Sequence, residues 1–348
     1  MNLDFTKVLV GVSGGVDSSV CVDLLHKQGL EVEGVIIRFS PSNDKDVIDA
    51  QKVRDKLGIK LHVADAQALF RENVIMPFCQ NYVSGYTPNP CIVCNPLVKF
   101  ATLIDTANKL GIGYIATGHY ARTEKVGDYY YVRKARSVAK DQSYMLYRLS
   151  QDVLSRLLLP IGSFEKTEIR HKAYDLQLFT ADKPDSQEIC FIPDGDYSAF
   201  IKNMGFKTKY GWVVSPEGKR LLRHQGVHNY TVGQRKHLGV ALGRPAFVKE
   251  ITDKGDVILG YAGDEFFTKV ELSSPVYATG MPLNVGDEFT VKIRSAARGD
   301  KAIVAYSDDE KIVLEFPEPV RAAAKGQSAV IYNGEYVVGG GFISGAVQ

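Results

Sequence analysis

The feature that most constrains this chain is a short apolar run that leads directly into a glycine-rich turn. Lys7–Val12 reads KVLVGV, which is typical of a buried strand in a parallel sheet. Ser13–Ser19 follows as SGGVDSS, and a helical pattern continues to the residue before Gly29. Glycines let the backbone approach an anion closely, and the first amides of a helix point toward it. The sequence therefore predicts a phosphate site between a strand and a helix.

Strand and helix patterns then alternate through the first part of the chain. The predicted strands are Glu31–Arg38, Lys60–Val63 and Gly113–Ala116, and the predicted helices are Asp46–Leu57, Ala68–Tyr82 and Leu97–Leu110. Repeated units of this kind predict an α/β fold, a parallel sheet with helices on both faces.

The pattern changes twice after these units. From Asp141 to about Met204 it is mostly helical; beyond that point glycine is frequent and short stretches alternate apolar with polar residues. These stretches are Phe289–Ile293, Ala302–Tyr306, Ile312–Phe316, Ser328–Tyr332 and Tyr336–Val338. Asn333-Gly334 between the last two is a hairpin pattern. A small antiparallel barrel or sandwich is predicted at the C-terminal end.

Composition excludes several classes of protein. With 348 residues the chain should hold two or three domains, and 45% hydrophobic with 24% charged residues is typical of a globular protein. No apolar run is long enough to span a bilayer, and the N-terminus MNLDFTKVLV lacks a secretory pattern, so we expect a cytoplasmic protein without membrane contact.

The net charge is only +2, but one segment is strongly basic. Between Lys219 and Lys249 there are seven Lys or Arg, three His and no Asp or Glu. This basic stretch is the best local candidate for a surface that contacts phosphates, against the alternative of an ordinary solvated face.

The Ser13–Ser19 turn matches neither of the two common glycine-rich phosphate loops. No Gly-Lys-Ser/Thr follows, as in a Walker A loop, and the glycine spacing differs from the dinucleotide fingerprint. It resembles the pyrophosphatase loop of enzymes that cleave ATP between its α and β phosphates. Asp17 in this loop could hold Mg²⁺ or cap the helix.

Several further motifs resemble one family, the bacterial tRNA 2-thiouridylases of the MnmA type. The matching stretches are Thr87–Pro90 with the cysteine pair Cys91 and Cys94, Asn95, Lys99 and Phe100, Ala116–Tyr120, Lys140–Leu146, Asp185–Ile192, Thr231–Leu238 and Gly326–Gly341. Together with the pyrophosphatase loop, these stretches extend from the first strand to the last hairpin, in the same order as in the family. The resemblance implies a pyrophosphatase-loop domain with a helical extension at 1–204, a small central tRNA-contacting domain at 205–268 and a C-terminal β-barrel at 269–348.

The resemblance also implies the reaction. Such an enzyme adenylates the C2 oxygen of the wobble uridine in tRNAs for lysine, glutamate and glutamine, and sulfur then replaces AMP. ATP with Mg²⁺ would be the cofactors. The partners would be tRNA and a sulfur donor, either a cysteine desulfurase with its persulfide relay or inorganic sulfide.

Roles follow position by position from the same resemblance. Cys94 matches the family's nucleophile and Cys190 its persulfide-bearing cysteine, and in the family these two can pair as a disulfide. The implied ATP-binding residues are Gly11, Val12, Ser13, Gly14, Gly15, Val16, Asp17, Ser18, Ser19, Ile37 and Gly118. The implied tRNA-binding residues are Asn89, Pro90, Cys91, His119, Lys140, Asp141, Gln142, Arg294, Ser295 and Gln327. Cys21 and Cys79 fall inside helical patterns, which favours a core role.

Cys91 departs from the family, whose common members carry an aspartate there as a candidate acid or base. Cys91, Cys94 and distant Cys190 are three thiols, which suit a [4Fe–4S] cluster with one open iron. A persulfide relay through Cys94 and Cys190 is the equal alternative. Zinc is disfavoured, since a closed site needs four ligands.

Two other functions compete with this interpretation. One is a small-molecule ligase with the same loop, of the argininosuccinate- or GMP-synthase type, which would need neither the three cysteines nor the basic stretch. The other is a nucleotide-binding regulator without turnover, whose effect would survive replacement of Cys94 and Cys190.

Overall fold

A computed structural model describes residues 2–40, 44–183 and 189–348. The strands are β1 Asp4–Gly11, β2 Glu31–Arg38, β3 Lys60–Asp65, β4 Ile112–Thr117, β5 Ala121–Val126, β6 Tyr129–Lys134, β7 Leu157–Leu158, β8 Trp212–Val214, β9 Arg220–Arg223, β10 Ala246–Ile251, β11 Val257–Tyr261, β12 Phe266–Tyr277, β13 Glu288–Lys292, β14 Asp300–Ser307, β15 Lys311–Arg321, β16 Ser328–Asn333 and β17 Tyr336–Val347.

The α-helices are α1 Val16–Lys27, α2 Asp44–Leu57, α3 Gln67–Phe70, α4 Met76–Val83, α5 Pro90–Cys94, α6 Ala101–Leu110, α7 Gln151–Leu154, α8 Lys166–Asp175 and α9 Tyr197–Asn203. Two π-helical segments, Arg71–Ile75 and Asn95–Phe100, join α3 to α4 and α5 to α6. The chain forms two compact units: one contains 2–74, 91–183 and 335–338, and the other contains 75–90, 189–334 and 339–348.

The first unit is built on a five-stranded parallel sheet in the order β3-β2-β1-β4-β7. The chain leaves β1 toward β2 on one side, while β4 lies against β1 on the other. A crevice therefore opens at the carboxyl ends of β1 and β4, where ligands bind in open α/β sheets. The predicted parallel sheet is confirmed.

Burial explains why α1 and α8 pack together beside this sheet. Val20, Leu25, Ile169 and Ala173 are all 0% exposed and belong to one hydrophobic core with the strands. Fully burying aliphatic side chains of this size stabilises a fold by about 1.5–3 kcal/mol each. The start of each helix is thereby fixed on the sheet.

The second unit has two sheets and a helical core. The smaller sheet runs β10-β11-β8-β9, and the larger runs β12-β15-β14-β13-β16-β17 and closes through pairing of β12 with β17. Closure removes exposed strand edges, so the predicted C-terminal antiparallel barrel is confirmed. The β16–β17 turn contains Gly334 at φ 60°, where only glycine is unstrained.

The interval from 141 to 204 is less helical than predicted. Within its described part it holds α7, α8, α9 and the short strand β7, separated by 3-10 turns such as Ser143–Leu146. The β5–β6 hairpin, joined by Gly127 at φ 59°, was also not predicted. The domain limits after residues 204 and 268 stay predictions. No described helix has the length and apolar character that a membrane crossing requires.

Candidate active site

The Ser13–Ser19 loop begins where β1 ends and becomes the first turn of α1. Gly14 has φ 67°, a left-handed conformation that glycine adopts without strain. The Ser13 amide donates to Ser18 Oγ at 3.2 Å, and Ser19 Oγ donates to the Gly15 carbonyl at 2.8 Å. The loop is thus held by its own hydroxyl groups, with the amide groups at the start of α1 directed into the crevice.

Gly118, in the loop after β4, approaches α1 so closely that no side chain fits. A Cβ atom at Gly118 would lie 2.8 Å from Ser18 N and 2.9 Å from the carbonyl carbon of Asp17. The loops after β1 and β4 are therefore in backbone contact at the crevice. This contact joins two stretches that the sequence assigned to ATP.

Asp17 points away from the helix axis into a polar cluster. Lys166 Nζ, at the start of α8, lies 2.8 Å from both carboxylate oxygens of Asp17, and the Tyr120 hydroxyl donates to Oδ1 at 2.9 Å. The Lys166 side chain is only 13% exposed, so this ion pair is well shielded from solvent. The sequence assigned no role to Lys166, and it included Tyr120 only as the last residue of the motif Ala116–Tyr120.

A second lysine reaches the loop from a different segment. Lys183 Nζ donates to the Gly14 carbonyl at 3.3 Å and to Asp49 Oδ2 at 3.1 Å. Burial alone raises the pKa of the Asp49 carboxyl, but hydrogen bonds from Lys183 and Lys52 outweigh it, and the net pKa is lowered. Asp49 is therefore ionised at neutral pH.

His119 is packed rather than solvated. Its ring stacks on Phe100 at 5.9 Å, Nδ1 lies 2.7 Å from Thr117 Oγ1, and Nε2 lies 3.4 Å from Lys99 Nζ. Burial, and then the charge of Lys99, hold the pKa of His119 well below its ordinary value of 6.5. His119 is therefore neutral at physiological pH, and it joins the β4 loop to the helix that carries Lys99.

This lowered pKa has a consequence for stability. The unfolded chain binds a proton at His119 near pH 6.5 while the folded chain does not, so stability is complete above that pH and falls below it. Between pH 7.5 and 5.5, the wild-type protein should lose up to about 1.4 kcal/mol more stability than His119→Gln. Urea unfolding of both proteins at the two pH values measures this, and equal losses would contradict it.

Cys94 is the last residue of α5 and borders the π-helical segment Asn95–Phe100. Asn95 is 2% exposed, and its side-chain amide donates to the Met145 carbonyl at 2.8 Å. Cys94 itself is half-buried, and Cys91, one turn earlier, is exposed. π-helical segments often occur at functional sites, because they alter the direction of side chains at a fixed point. In the first unit, this segment is linked to the phosphate loop through Lys99, His119 and Gly118.

Cys190 lies in the second unit and is exposed. Its neighbour Phe191 packs edge-on against Phe78 at 5.3 Å, and Ile189 contacts the same apolar cluster. The thiol is therefore presented by a backbone that is anchored on both sides. Pro184–Glu188, the first part of the motif containing Cys190, lies outside the described residues.

The other two cysteines are core residues, as predicted. Cys21 and Cys79 are both 0% exposed. Burial raises the pKa of Cys79 to about 11 and raises that of Cys21 further, so neither forms a thiolate at neutral pH. The Cys94–Cys190 disulfide stays a prediction.

Comparison with known proteins assigns the chain. Family models described as tRNA methyl transferase HUP domain, tRNA methyl transferase PRC-barrel domain and Aminomethyltransferase beta-barrel domain match residues 6–194, 198–260 and 268–343. The tRNA-specific 2-thiouridylase MnmA 2 of Clostridium tetani is 42% identical over 358 residues, 99% of this chain and 100% of that protein. The chain belongs to the tRNA-specific 2-thiouridylase family.

Two further relatives have the same span. The tRNA-specific 2-thiouridylase MnmA of Lachnoclostridium phytofermentans is 42% identical, over 97% of this chain and 99% of that protein. MnmA 1 of Clostridium botulinum strain Loch Maree is 41% identical, again over 97% and 99%. Nearly the whole of this thiouridylase-family chain therefore has a counterpart in each of these relatives.

The thiouridylase resemblance implies that several residues contact tRNA. In the structure, the side chains of some of these residues form hydrogen bonds with the protein's own backbone. Gln142 Oε1 accepts the Tyr120 amide at 2.8 Å, and Asp141 Oδ1 accepts the Ala135 amide at 3.0 Å. In the second unit, Gln327 donates to the Thr87 carbonyl at 2.7 Å and Arg294 to the Ala322 carbonyl at 3.0 Å. Gln327 thus fixes the segment that leads into Asn89 and Pro90. Lys140 and Ser295 keep their role as predictions.

Metal binding by this family member stays a prediction. Within 2–40, 44–183 and 189–348, no three His, Cys, Asp or Glu side chains are grouped so that they could hold a metal ion. For Mg²⁺, which needs one or two carboxylates and keeps several waters, Asp17 is a fitting donor at the phosphate loop. The cluster on Cys91, Cys94 and Cys190 has no such support in the structure.

Proposed function

We propose that this protein is an ATP-dependent tRNA-uridine 2-sulfurtransferase. The observation that supports it best is that one unit combines a lysine-free phosphate loop with a half-buried cysteine, Cys94. Lys99, five residues after Cys94, contacts His119 in the loop after β4. Family membership over the whole chain makes the substrate a tRNA. The wobble position and the lysine, glutamate and glutamine isoacceptors are the finer part of this proposal.

The chemistry needs two steps because the C2 oxygen of uracil is amide-like and leaves poorly. In the first, this oxygen attacks the α-phosphorus of ATP, the α–β phosphoanhydride bond breaks and pyrophosphate leaves. In the second, sulfur attacks C2 and AMP leaves with the oxygen. The phosphate loop serves the first step and the thiols serve the second.

The ATP site follows from the crevice between β1 and β4. Gly11–Ser19 would hold ATP, with the phosphates on the loop Ser13–Ser19. Ile37 on β2 is 7% exposed and would line the nucleoside, and Gly118 would border it. Amide groups at the start of α1 stabilise negative charge that develops on the leaving pyrophosphate. Mg²⁺ held by Asp17 would neutralise part of the phosphate charge.

The sulfur site requires thiols that can ionise and be reached. Cys94 and Cys190 meet the second condition, whereas Cys21 and Cys79 do not. In the relay, Cys94 attacks the inner sulfur of a Cys190 persulfide, which forms the Cys94–Cys190 disulfide and releases hydrosulfide. Hydrosulfide then attacks the adenylated C2, and an external thiol must reduce the disulfide before the next turnover.

The sulfur donor is part of the proposal. A desulfurase-linked relay would transfer sulfane sulfur to Cys190 as a persulfide, whereas inorganic sulfide would supply hydrosulfide without loading Cys190. If the three-cysteine cluster forms instead, sulfide bound to its open iron would replace the persulfide. Because its substrate is tRNA, we place the enzyme in the cytoplasm.

The basic stretch is the proposed RNA-contacting surface, but only part of it is available for RNA. His224 and His228 are buried: His224 bonds the Gly255 carbonyl at 2.8 Å, and His228 bonds Ser198 and Thr208. Arg235, Arg244 and Lys249 pair with Glu265, Glu217 and Asp264, acids that lie outside the stretch in sequence. The exposed basic residues that remain centre on the β8–β9 hairpin, where Arg220 and Arg223 lie over the Trp212 ring at 5.5 and 5.7 Å.

Neutralising this hairpin should weaken RNA binding without altering chemistry. Arg220→Gln with Arg223→Gln should raise the Kd for tRNA about 3- to 10-fold near 0.1 M salt. The slope of log Kd against log salt concentration should also decrease by about one to two. Trp212 is the chain's one tryptophan, so its fluorescence reports binding at this surface. Lys269→Gln, which removes a charge paired with Glu315 at 2.9 Å, is the control and should leave the Kd unchanged. An unchanged Kd in the double variant would contradict the surface.

The function is tested by nucleoside mass spectrometry and by pyrophosphate release. Purified protein with ATP, a sulfide source and unmodified tRNA should convert uridine to 2-thiouridine and release pyrophosphate only when tRNA is present. A methyl group on the nucleoside, or pyrophosphate release with a small-molecule acceptor and not with tRNA, would contradict the proposal.

A further inference from the structure

The phosphate loop poses a charge problem that its own residues do not solve. Pyrophosphate carries several negative charges, and holding it in a crevice requires cations or many donors. Ser13–Ser19 contributes amides, hydroxyls and one carboxylate, Asp17, but no cation. Positive charge beyond that of a bound Mg²⁺ must therefore come from side chains of other segments.

We propose that Lys166 and Lys183 are the side chains that bind the β- and γ-phosphates of ATP and then the pyrophosphate product. The inference rests on the proposed ATP-dependent function and assigns two residues of its phosphate site. Both ammonium groups already touch the loop: Lys166 lies 2.8 Å from Asp17, and Lys183 lies 3.3 Å from the Gly14 carbonyl.

Helix α8 positions both lysines. Lys166 is its first residue, and a capping box fixes this start, because the Glu165 amide donates to Glu168 Oε2 at 2.6 Å. One turn later, Arg170 donates to the Ala181 carbonyl at 2.9 Å and to the Lys183 carbonyl at 3.4 Å. The same helix that supplies Lys166 therefore holds the backbone of Lys183.

The counter-ions explain how the site exists before ATP arrives. Lys166 pairs with the carboxylate of Asp17, and Lys183 pairs with that of Asp49. Each carboxylate balances the positive charge of its lysine until the phosphates bind. When the phosphates bind, each lysine needs only to exchange one oxygen partner for another, and Asp17 becomes available for a cation.

If the two lysines only stabilised the fold, replacing them would not weaken the binding of one ligand more than another. A phosphate-binding role can therefore be tested by comparing two ligands. In calorimetry with inorganic pyrophosphate and with AMP, Lys166→Gln and Lys183→Gln should each weaken pyrophosphate binding at least tenfold. AMP binding, which makes no β- or γ-phosphate contact, should change less than twofold.

Two isosteric controls sharpen the test. Lys52→Gln removes the other lysine on Asp49, which bonds Oδ1 at 3.3 Å with a side chain 56% exposed, and it should leave pyrophosphate affinity unchanged. Asp49→Asn removes the counter-ion and should leave that affinity equal or higher, because Lys183 loses a competing anion. If the lysines were structural, Asp49→Asn would weaken binding as Lys183→Gln does, and that result would overturn the inference.

Folding is checked by thermal melts, with Lys166→Arg as a second variant that keeps the charge and should retain most of the affinity. Unchanged pyrophosphate affinity in both glutamine variants would also overturn the inference. Failure of the proposed function has a different result: the wild-type protein would bind pyrophosphate through these lysines but release none from ATP when tRNA is added.

Discussion

Replacing Cys94 or Cys190 with serine should abolish tRNA thiolation, with a loss of at least ~10³-fold for each variant, because a hydroxyl neither carries a persulfide nor attacks one. The same variants should still release pyrophosphate from ATP when tRNA is added, since adenylation uses the phosphate loop and no thiol. Thiolation is measured by nucleoside mass spectrometry with a cysteine desulfurase and cysteine as the sulfur source, because added sulfide could attack the adenylated C2 without either thiol. Pyrophosphate release is measured by a coupled assay on the same samples.

The other cysteines provide matched controls. Cys79→Ala changes a thiol that is 0% exposed and should lower the melting temperature but leave the thiolation rate per folded molecule unchanged. If Cys94→Ser lost pyrophosphate release as well as thiolation, that result would contradict the assignment of adenylation to the phosphate loop and of sulfur transfer to the thiols.

Cys91→Ser separates the two sulfur mechanisms. In the persulfide relay this exposed thiol has no sulfur-carrying role, so the variant should keep thiolation within a few-fold. In the cluster mechanism it is one of three iron ligands, and its loss should remove both activity and the brown colour of anaerobically purified protein. Colourless wild-type protein that is active would exclude the cluster.

The sequence predicted those parts of the fold that depend on neighbours in the chain. The strand at Glu31–Arg38 has the predicted limits, because its β-branched run Val35–Ile37 is a local pattern that depends on no distant residue. The phosphate loop was likewise predicted, since strand, glycines and helix are contiguous. The barrel strands are longer than predicted, β17 extending from Tyr336 to Val347, because glycine-rich segments can pair in a closed barrel where their propensity is weak.

What the sequence did not predict are contacts between distant segments. Lys166 and Lys183 reach the loop from positions 149 and 169 residues away, and no spacing pattern connects such residues to a loop. The basic stretch gives the opposite case: it is free of acids in sequence, but Glu217 and Glu265 pair with its arginines in space. Charge patterns in a sequence overstate a basic surface where folding brings acids to it.

Gly118→Ala should remove ATP binding, with an affinity loss of about 10²-fold, because the new methyl group would collide with backbone. Its Cβ would lie 2.8 Å from Ser18 N and 3.1 Å from Asp17 Cβ. Since backbone atoms cannot rotate away as a flexible side chain can, the start of α1 and its amide groups must shift, and displacements of this kind are costly where amides bind phosphate. Overpacking of this kind also costs about 1–3 kcal/mol of stability.

Gly11→Ala is the matched control for Gly118→Ala. It adds the same methyl group at the end of β1, opposite Thr117, where its nearest neighbour would be Thr117 Cγ2 at an ordinary 3.6 Å. ATP affinity should therefore fall no more than about 3-fold, because a small movement of the Thr117 side chain accommodates the methyl group. Binding is measured by calorimetry with ATP at a temperature where both variants are folded. If Gly118→Ala binds ATP as Gly11→Ala does, the close contact between the loops after β1 and β4 does not shape the nucleotide site, and the phosphates must bind elsewhere along α1.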